Sequence, residues 1–406
     1  MSVPDNFALR VARCYLPFAA GYFLSYAFRV VNGAIAPDMT RELGLDSAAL
    51  GAVTSAYFAA FAAAQLPMGV ALDRWGPRRV EFTLLLFATA GAVIFALAGG
   101  VAGLALGRAL IGFGVASCLI AAMKANTLYW PIERLPLANG LLMGFGGLGA
   151  GAATLPVELM LAATSWRFVL LAMAGLTLLV ALAIFFAAPR ETPHPTGVTF
   201  GAQLRGIGKV LSASAFWRVA PATTATHAVY LSYQALWAGP WMRDVAGLDR
   251  FAVAQGLFMV NATMAIGYPL FGILADRLAA RGISTRAIFA VFVVLFMVAQ
   301  IPMAAGWTHN PLGFWALFGL TGCGTILGYA VATQSFPKEM AGRVGASINM
   351  LVFALAFVVQ WGIGVALSHF PGAPADGHRA VMLGLIAMQG AGWLWLVLRR
   401  AKNQPQ

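Results

Sequence analysis

The sequence predicts an all-α membrane protein with twelve transmembrane helices arranged in two six-helix halves. Hydrophobic residues fill 60% of the 406 positions, charged residues fill only 10%, and the mean hydropathy is +0.80. A soluble domain carries about 25% charged residues, so this chain is expected to lie in a lipid bilayer. The spacing of its apolar runs and an internal repeat indicate the two halves.

Apolar runs long enough to cross a bilayer, which takes ~20 residues, recur along the whole chain. The predicted spans are residues 13–37, 48–71, 80–99, 102–129, 137–162, 167–188, 217–241, 252–275, 285–305, 311–335, 343–369 and 379–398. The longest polar interval separates the sixth span from the seventh. We therefore predict an N-terminal bundle over residues 1–188, a cytoplasmic interdomain loop over 189–216 and a C-terminal bundle over 217–406.

The two halves repeat short sequence patterns. The segment "GVALDRWG" (69–76) corresponds to "GILADRLA" (272–279), which places Asp73 203 positions before Asp276. The segment "APDMTRELGL" (36–45) corresponds to "GPWMRDVAGL" (239–248). Repeated halves of this kind are typical of transporters, which bind their substrate near the bilayer midplane.

The basic residues fall in short clusters between the apolar runs, so the net charge of +12 does not indicate a nucleic-acid partner. With both termini in the cytoplasm, 18 of the 26 Lys and Arg lie on the inner side and 5 on the outer side. This bias is the one that the positive-inside rule describes. We expect a bacterial inner membrane protein whose partners are the lipid bilayer and small molecules, and a monomer.

Two cations inside predicted spans indicate an anionic ligand. Arg29 lies in the middle of the first span and Lys124 in the fourth, where a buried charge costs roughly 2.5 to 3.5 kcal/mol or more. Arg suits a bidentate carboxylate or phosphate contact, and Lys acts as a point charge. Both could therefore face one bound anion. The alternative is that Arg29 pairs with backbone carbonyls or Glu158, and that Lys124 reaches the cytoplasmic surface.

The seventh span carries a polar and aromatic stripe. Its members have spacings that fit one helix face, and they are His227, Tyr230, Tyr233, Gln234 and Trp237. They could supply a second wall of a ligand cavity, and the alternative is an ordinary helix interface.

Proton coupling has two candidates. His227 is the one histidine in the interior of a predicted span, and its ordinary pKa near 6.5 suits proton transfer. Glu158, near the outer end of the fifth span, is the second candidate, and it could equally be the partner of Arg167.

Two motifs resemble signatures of the major facilitator superfamily. The segment "GVALDRWGPRRV" resembles the loop signature of that superfamily, and "GRALIGFG" resembles its fourth-helix signature through Arg108. The loop residues that match are Gly69, Asp73, Arg74, Gly76, Arg78 and Arg79. The resemblance implies the fold of that superfamily and a conformational latch, in which Asp73 accepts hydrogen bonds from a neighbouring helix and Asp276 is its repeat partner. Arg108 would hold helices together or tune protonation.

The first span resembles the anion:cation symporter branch of the same superfamily. In "SYAFRVVNGAIAP" the matching residues include Tyr26, Arg29 and Asn32. The resemblance implies that Arg29 lies in the central cavity at the substrate anion, with Tyr26 and Asn32 nearby. Phe28 stands where that pattern has an acid associated with proton coupling, and Val115 stands near the position of a fourth-helix glutamate.

The function that follows is secondary active transport of a small organic anion, most simply uptake coupled to H⁺, with Na⁺ as the alternative ion. Catalytic motifs are absent from the sequence and its three cysteines show no CxxC spacing, so no enzyme, cofactor or metal site is expected. One alternative is an exporter of drugs or metabolites on the same fold. An alternative of another class is a transport-inactive membrane sensor or receptor.

Overall fold

The computed structural model describes residues 6–189, 200–337 and 340–399, and these ranges are almost entirely helical. The chain divides into two compact units, Met1–Phe200 and Gly201–Gln406. The predicted interdomain loop falls in part on residues 190–199, which lie outside the described residues. The rest of it contains a helix, Phe200–Ser212, and the seventh span then begins at Ser214, slightly earlier than predicted.

The first unit holds six spans. Their helices are Phe7–Arg10, a π-helical turn Val11–Tyr15 and Leu16–Leu43 (first span), Ser47–Leu97 (second and third), Val101–Gly114 and Cys118–Tyr129 (fourth), Leu135–Ala152 and Leu155–Leu161 (fifth) and Trp166–Ala187 (sixth). Gly76 divides the second span from the third, because its φ of 75° and ψ of 160° interrupt the helix. Only glycine adopts this region of φ and ψ at low cost, which explains the glycine of the loop signature.

The second unit holds the other six spans. Their helices are Ser214–Ser232, a π-helical turn Tyr233–Trp237 and Ala238–Asp244 (seventh span), Arg250–Ala280 (eighth), Thr285–Ala304 (ninth), Pro311–Gly322, a 3₁₀ turn Cys323–Ile326 and Leu327–Thr333 (tenth), Ala341–Ser368 (eleventh) and Pro374–Leu398 (twelfth).

Ten of these spans are long and apolar enough by composition to cross a membrane, among the described residues. The two that fall short are the first and the seventh, which carry polar residues such as Arg29, Asn32, His227 and Gln234 in their interiors. Polar residues inside a transmembrane helix commonly mark a functional site. Helices lie at all twelve predicted spans, which agrees with the predicted all-α fold, and the two least apolar of them are repeat partners.

The repeat extends to backbone geometry. Gly44 and Gly247 both take positive φ, 63° and 65°, just after the first span of each unit. Asp46 and Asp249 then cap the next helix through Ala49 N (2.7 Å) and Ala252 N (2.8 Å). All four positions share the offset of 203 that relates Asp73 to Asp276.

Helix packing repeats as well. The first helix packs against the fifth and sixth, the seventh against the eleventh and twelfth, the second against the fourth, and the eighth against the tenth. Gly112 of the fourth span lies against the Tyr57 backbone of the second, and Gly319 of the tenth lies against the Val260 backbone of the eighth. A side chain at either glycine would overlap that backbone, so glycine is needed for the close approach.

Candidate functional site

Arg29 lies inside the first unit in a cage of aromatic rings. It is 7% exposed, and its guanidinium carbon lies 4.4 Å from the ring centroid of Tyr26 and 5.6 Å from that of Phe61. The Tyr57 hydroxyl interacts with the guanidinium and donates to the Ser25 carbonyl at 3.4 Å. Ring faces and hydroxyl oxygens stabilise a cation in a medium of low dielectric constant. The cage therefore allows a charged arginine to remain buried in the first helix.

The cage extends toward the start of the first helix through a second tyrosine. Tyr22 meets Tyr26 edge to face, with ring centroids 5.2 Å apart. Both rings interact electrostatically with Arg29. Since residues 22, 26 and 29 follow helical spacing, one face of the first helix carries the whole arrangement.

Arg108 lies on another side of Tyr57 and bonds to a neighbouring span. It is 1% exposed, its Nη1 donates to the Phe28 carbonyl at 2.8 Å, and its guanidinium carbon lies 5.0 Å from the Tyr57 ring. The bond joins the fourth span to the first. Tyr57 thus contacts both buried arginines.

Asn32 joins the first span to the second. Its Nδ2 donates to the Thr54 hydroxyl at 3.1 Å, and the residue is fully buried. Asn32 is one helical turn from Arg29, so it can extend a polar site, and its bond to Thr54 also serves helix packing.

In the structure, Lys124 does not lie near Arg29. Its Nζ lies 2.5 Å from Asp73 Oδ1 and donates to the Leu72 carbonyl at 2.9 Å. Leu72 lies eleven residues beyond Phe61 on the second helix, a rise of ~16 Å. That separation is too long for one small carboxylate to contact both cations, so the two-cation site expected from the sequence is not formed in this structure. Sequence spacing alone could not show which neighbour Lys124 meets.

The loop signature forms a cluster at the end of the second span. Arg78 donates from Nε (2.8 Å) and Nη2 (2.5 Å) to the Phe185 carbonyl of the sixth span. Arg74 lies over Trp75, with its guanidinium carbon 5.7 Å from a ring of that residue, and Arg79 is exposed. Gly69 is half-buried in the second span. Asp276, the repeat partner of Asp73, is exposed near the end of the eighth span.

The stripe of the seventh span is packed within the second unit. Tyr230 stacks on Phe318 with centroids 5.7 Å apart, and Tyr233 lies 5.5 Å from Trp315. Gln234 Nε2 donates to Asn261 Oδ1 at 2.9 Å.

The remaining two members of the stripe face other spans. Trp237 Nε1 donates to the Gln360 carbonyl at 3.0 Å, and His227 Nδ1 lies 3.4 Å from the Thr325 hydroxyl. The stripe therefore contacts the eighth, tenth and eleventh spans, which is the helix-interface alternative of the sequence analysis. His227 is 9% exposed, and the other four members of the stripe are at most 1% exposed.

Arg167 pairs with an acid that the sequence analysis did not consider. Its Nη2 lies 2.8 Å from Glu42 Oε1, and its Nη1 donates to the Ala96 and Ala98 carbonyls. Hydrogen bonds from the Trp166 indole and the Arg167 guanidinium hold the pKa of the Glu42 carboxyl below its ordinary value. Glu158 is half-buried in the short helix Leu155–Leu161.

Sequence reasoning missed three members of the first unit's polar interior, which are Tyr57, Cys118 and Glu81. Tyr57 and Cys118 read as ordinary helix residues, since neither carries a charge at neutral pH. Glu81 was placed at the very start of the third span, whereas the structure buries it completely. Its signal in the sequence was its place inside an apolar run that begins at Val80, four residues after Gly76.

Comparison with known proteins decides the family. The model of the Major Facilitator Superfamily matches residues 18–360. The chain belongs to this superfamily. Its members are transport proteins, so the sequence prediction of the family and of a non-enzymatic protein is confirmed.

Two solved transporter structures have a similar fold. The nucleoside transporter NupG matches with a TM-score of 0.75 and 13% identity, over 94% of this chain and 98% of that chain. A bacterial homolog of the human lysosomal transporter Spinster matches with a TM-score of 0.72 and 18% identity, over 97% and 96% of the two chains. At these identities the likeness shows the fold alone.

Superfamily members of similar sequence have names that refer to anions. The "Probable sulfoacetate transporter SauU" of Cupriavidus necator is 29% identical over 276 residues, 63% of this chain and 63% of that protein. The hexuronate transporter of Escherichia coli K12 is 26% identical over 272 residues, 63% and 62% of the two chains. The nitrate/nitrite transporter NrtP of Picosynechococcus is 30% identical over 129 residues, which is 32% of this chain and 24% of that protein. The matched stretch spans less than two thirds of each relative.

Proposed function

We propose that the protein is a secondary transporter that moves a small organic anion across a membrane by alternating access, coupled to H⁺ or Na⁺. The observation that carries the proposal is the buried guanidinium of Arg29 stacked on Tyr26 in the first span. A cation held inside a membrane bundle attracts an anion strongly because the surrounding dielectric constant is low. Its planar fork matches the geometry of a carboxylate or sulfonate.

The relatives support this substrate class. Sulfoacetate and hexuronate both carry a carboxylate, and these molecules are named in the relatives that match over 63% of this chain. A bound anion would neutralise Arg29, and this would lower the free energy cost of closing the bundle around the site. Arg29 is thus the proposed anion anchor, with Tyr26 and Asn32 beside it.

The proposal places both termini in the cytoplasm and the protein in a bacterial inner membrane. The bias of 18 inner against 5 outer Lys and Arg supports this orientation. In that orientation the pair of Asp73 and Lys124 lies at the cytoplasmic end of the second span. We propose the pair as part of the latch expected from the loop signature.

Uptake into proteoliposomes tests the proposal. Purified protein would be reconstituted and supplied with labelled glucuronate or labelled sulfoacetate, under an inward H⁺ gradient and then an inward Na⁺ gradient. Concentrative uptake of one of these anions is expected from the wild type, and Arg29→Gln should abolish it. Arg41→Gln is the matched control, because the Arg41 side chain is 78% exposed and should leave uptake unchanged.

The outcomes also separate the alternatives. Ligand binding without flux would favour the sensor or receptor. Movement of cationic drugs that Arg29→Gln leaves unchanged would favour the exporter. Either result would contradict the anion proposal.

A further inference from the structure

Glu81 is a carboxyl group enclosed in the interior of the first unit. It lies in the third span, ~7 Å along the helix from the break at Gly76. The residue is 0% exposed, and no hydrogen-bond donor of ordinary geometry reaches Oε1 or Oε2 within the part of the chain that the structure describes. Among the described residues, therefore, no basic side chain and no backbone amide bonds to the carboxyl group and compensates a negative charge there.

Three other spans enclose the carboxyl. Gly21 of the first span leaves the space that Oε1 fills, since a Cβ at position 21 would overlap that oxygen. The Ile184 side chain of the sixth span lies beside the same glycine. The Cys118 thiol of the fourth span interacts with Glu81, although not as a hydrogen bond of ordinary geometry.

The groups around Glu81 connect it with the arginine cage. Cys118 interacts with Arg29 as well as with Glu81, and Tyr22 interacts with both Cys118 and Arg29. On its own helix, the nearby Arg78 donates instead to the Phe185 carbonyl. Gly21 lies eight residues before Arg29, a rise of ~12 Å, which is too long for an ion pair and short enough for electrostatic coupling in a medium of low dielectric constant.

We propose that Glu81 is the proton-binding group of this transporter, neutral when enclosed and ionised when its cavity opens to water. Taking up the proton forms one O–H bond on the carboxylate, and release returns the proton to water. An enclosed carboxylate without a compensating donor has a much higher free energy than the neutral acid. The carboxyl can therefore be enclosed only with its proton, so closing the bundle and carrying a proton become one event.

Substrate and proton would then assist each other. An anion at Arg29 disfavours a second negative charge at Glu81, so it promotes protonation, and by linkage a protonated Glu81 strengthens anion binding by the same factor. This step rests on the proposed function, because it needs an anion at Arg29. Glu81 takes the coupling role that the sequence analysis assigned to His227 or Glu158.

Infrared spectroscopy tests the protonation itself and needs no substrate. Wild-type protein in an ester-free detergent at neutral pH should show the C=O stretch of a protonated carboxylic acid, which shifts to lower frequency in D₂O. Glu81→Gln should remove this band, and Glu133→Gln, which removes an exposed glutamate, should retain it. A band that persists in Glu81→Gln, or that is missing from the wild type, would overturn the proposal.

Transport assays test the coupling. With labelled glucuronate or sulfoacetate, Glu81→Gln should lose accumulation driven by an H⁺ gradient, so that the inside-to-outside ratio falls to about one, while exchange of internal for external anion continues. Glu81→Asp, which keeps an acid, should restore part of the accumulation. Wild-type accumulation in Glu81→Gln, or loss of exchange in a folded Glu81→Gln, would contradict the coupling role. If neither anion is transported by the wild type, the proposed function fails while the infrared result still decides whether Glu81 holds a proton.

Discussion

Lys124 Nζ lies 2.5 Å from Asp73 Oδ1, and this ion pair joins the fourth span to the loop signature at the end of the second. The side chains are 28% and 46% exposed, so water screens the interaction. An exposed pair of this kind contributes about 1 kcal/mol or less to stability. Its value would then lie in setting the relative free energies of transport conformations.

A double-mutant cycle tests the pair. Asp73→Asn and Lys124→Gln should each slow uptake while changing the free energy of unfolding by about 1 kcal/mol or less. The double variant should be no slower than the worse single variant, because both changes remove the same interaction. Arg41→Gln, which removes an exposed cation outside the loop signature, serves as the control. Additive losses of uptake rate would contradict a role for the pair.

Replacement of glycine by alanine should have opposite effects on stability at two positions with different surroundings. Gly112→Ala should destabilise the protein by roughly 1 to 3 kcal/mol, because the new Cβ would overlap the Tyr57 backbone. Gly144→Ala lies in the helix Leu135–Ala152 with no neighbour within 4 Å of the new Cβ, and should stabilise by up to about 1 kcal/mol. Thermal unfolding in detergent measures both variants. Equal shifts of Tm in the two would contradict the close approach of the fourth span to the second.

Removal of the hydroxyl group should change the stability differently at two buried tyrosines. The Tyr15 hydroxyl donates to the Ala138 carbonyl at 3.0 Å, so Tyr15→Phe should cost ~1 kcal/mol in unfolding free energy. The Tyr233 hydroxyl is buried and has no hydrogen-bond partner among the described residues. Tyr233→Phe should therefore leave Tm unchanged or raise it. A larger loss of stability from Tyr233→Phe than from Tyr15→Phe would show that these assignments are reversed.

Glu42 predicts an acid-dependent stability difference. The bonds from Trp166 and Arg167 lower the pKa of Glu42 in the folded state, so its contribution is present above the ordinary glutamate pKa. That contribution is lost as the pH falls below the ordinary value and through the lowered one. The Tm difference between wild type and Glu42→Gln should therefore shrink as the pH is lowered below about 4. Because Glu42 is half exposed the difference is small, and a difference that grows in acid would contradict the assignment.

Hydropathy predicted the twelve spans, because each depends on local composition, and the resemblance of the loop signature predicted the family. They did not predict the partner of Lys124, since its pairing with Asp73 spans 51 residues and depends on how the second and fourth helices pack. They also placed Glu81 at a span end, where a charge is ordinarily solvated. Its burial depends on Gly21, which lies 60 positions away and supplies the space for the carboxyl.

The two halves share backbone geometry, but the charged residues of the first half have uncharged counterparts in the second. At the offset of 203 that relates the loop aspartates, Arg29 corresponds to Ser232 and Glu81 to Ser284. Ser232 donates to the Ala228 carbonyl within its own helix, and Ser284 caps the ninth helix through Ala287 N. The charged groups of the proposed mechanism therefore belong to the first unit.

Ligand-induced thermal stabilisation is the most direct test of Arg29 as the anion anchor. Purified protein would be heated with sulfoacetate, glucuronate, nitrate, a nucleoside or a cationic drug, beside Arg29→Gln, Arg29→Lys and the exposed control Arg41→Gln. A ligand at 100 times its Kd stabilises by ~2.7 kcal/mol. We expect a carboxylate anion to raise Tm for wild type and Arg41→Gln, less for Arg29→Lys, and not for Arg29→Gln. Stabilisation by the anion that persists in Arg29→Gln, or stabilisation by neutral and cationic compounds alone, would contradict the account.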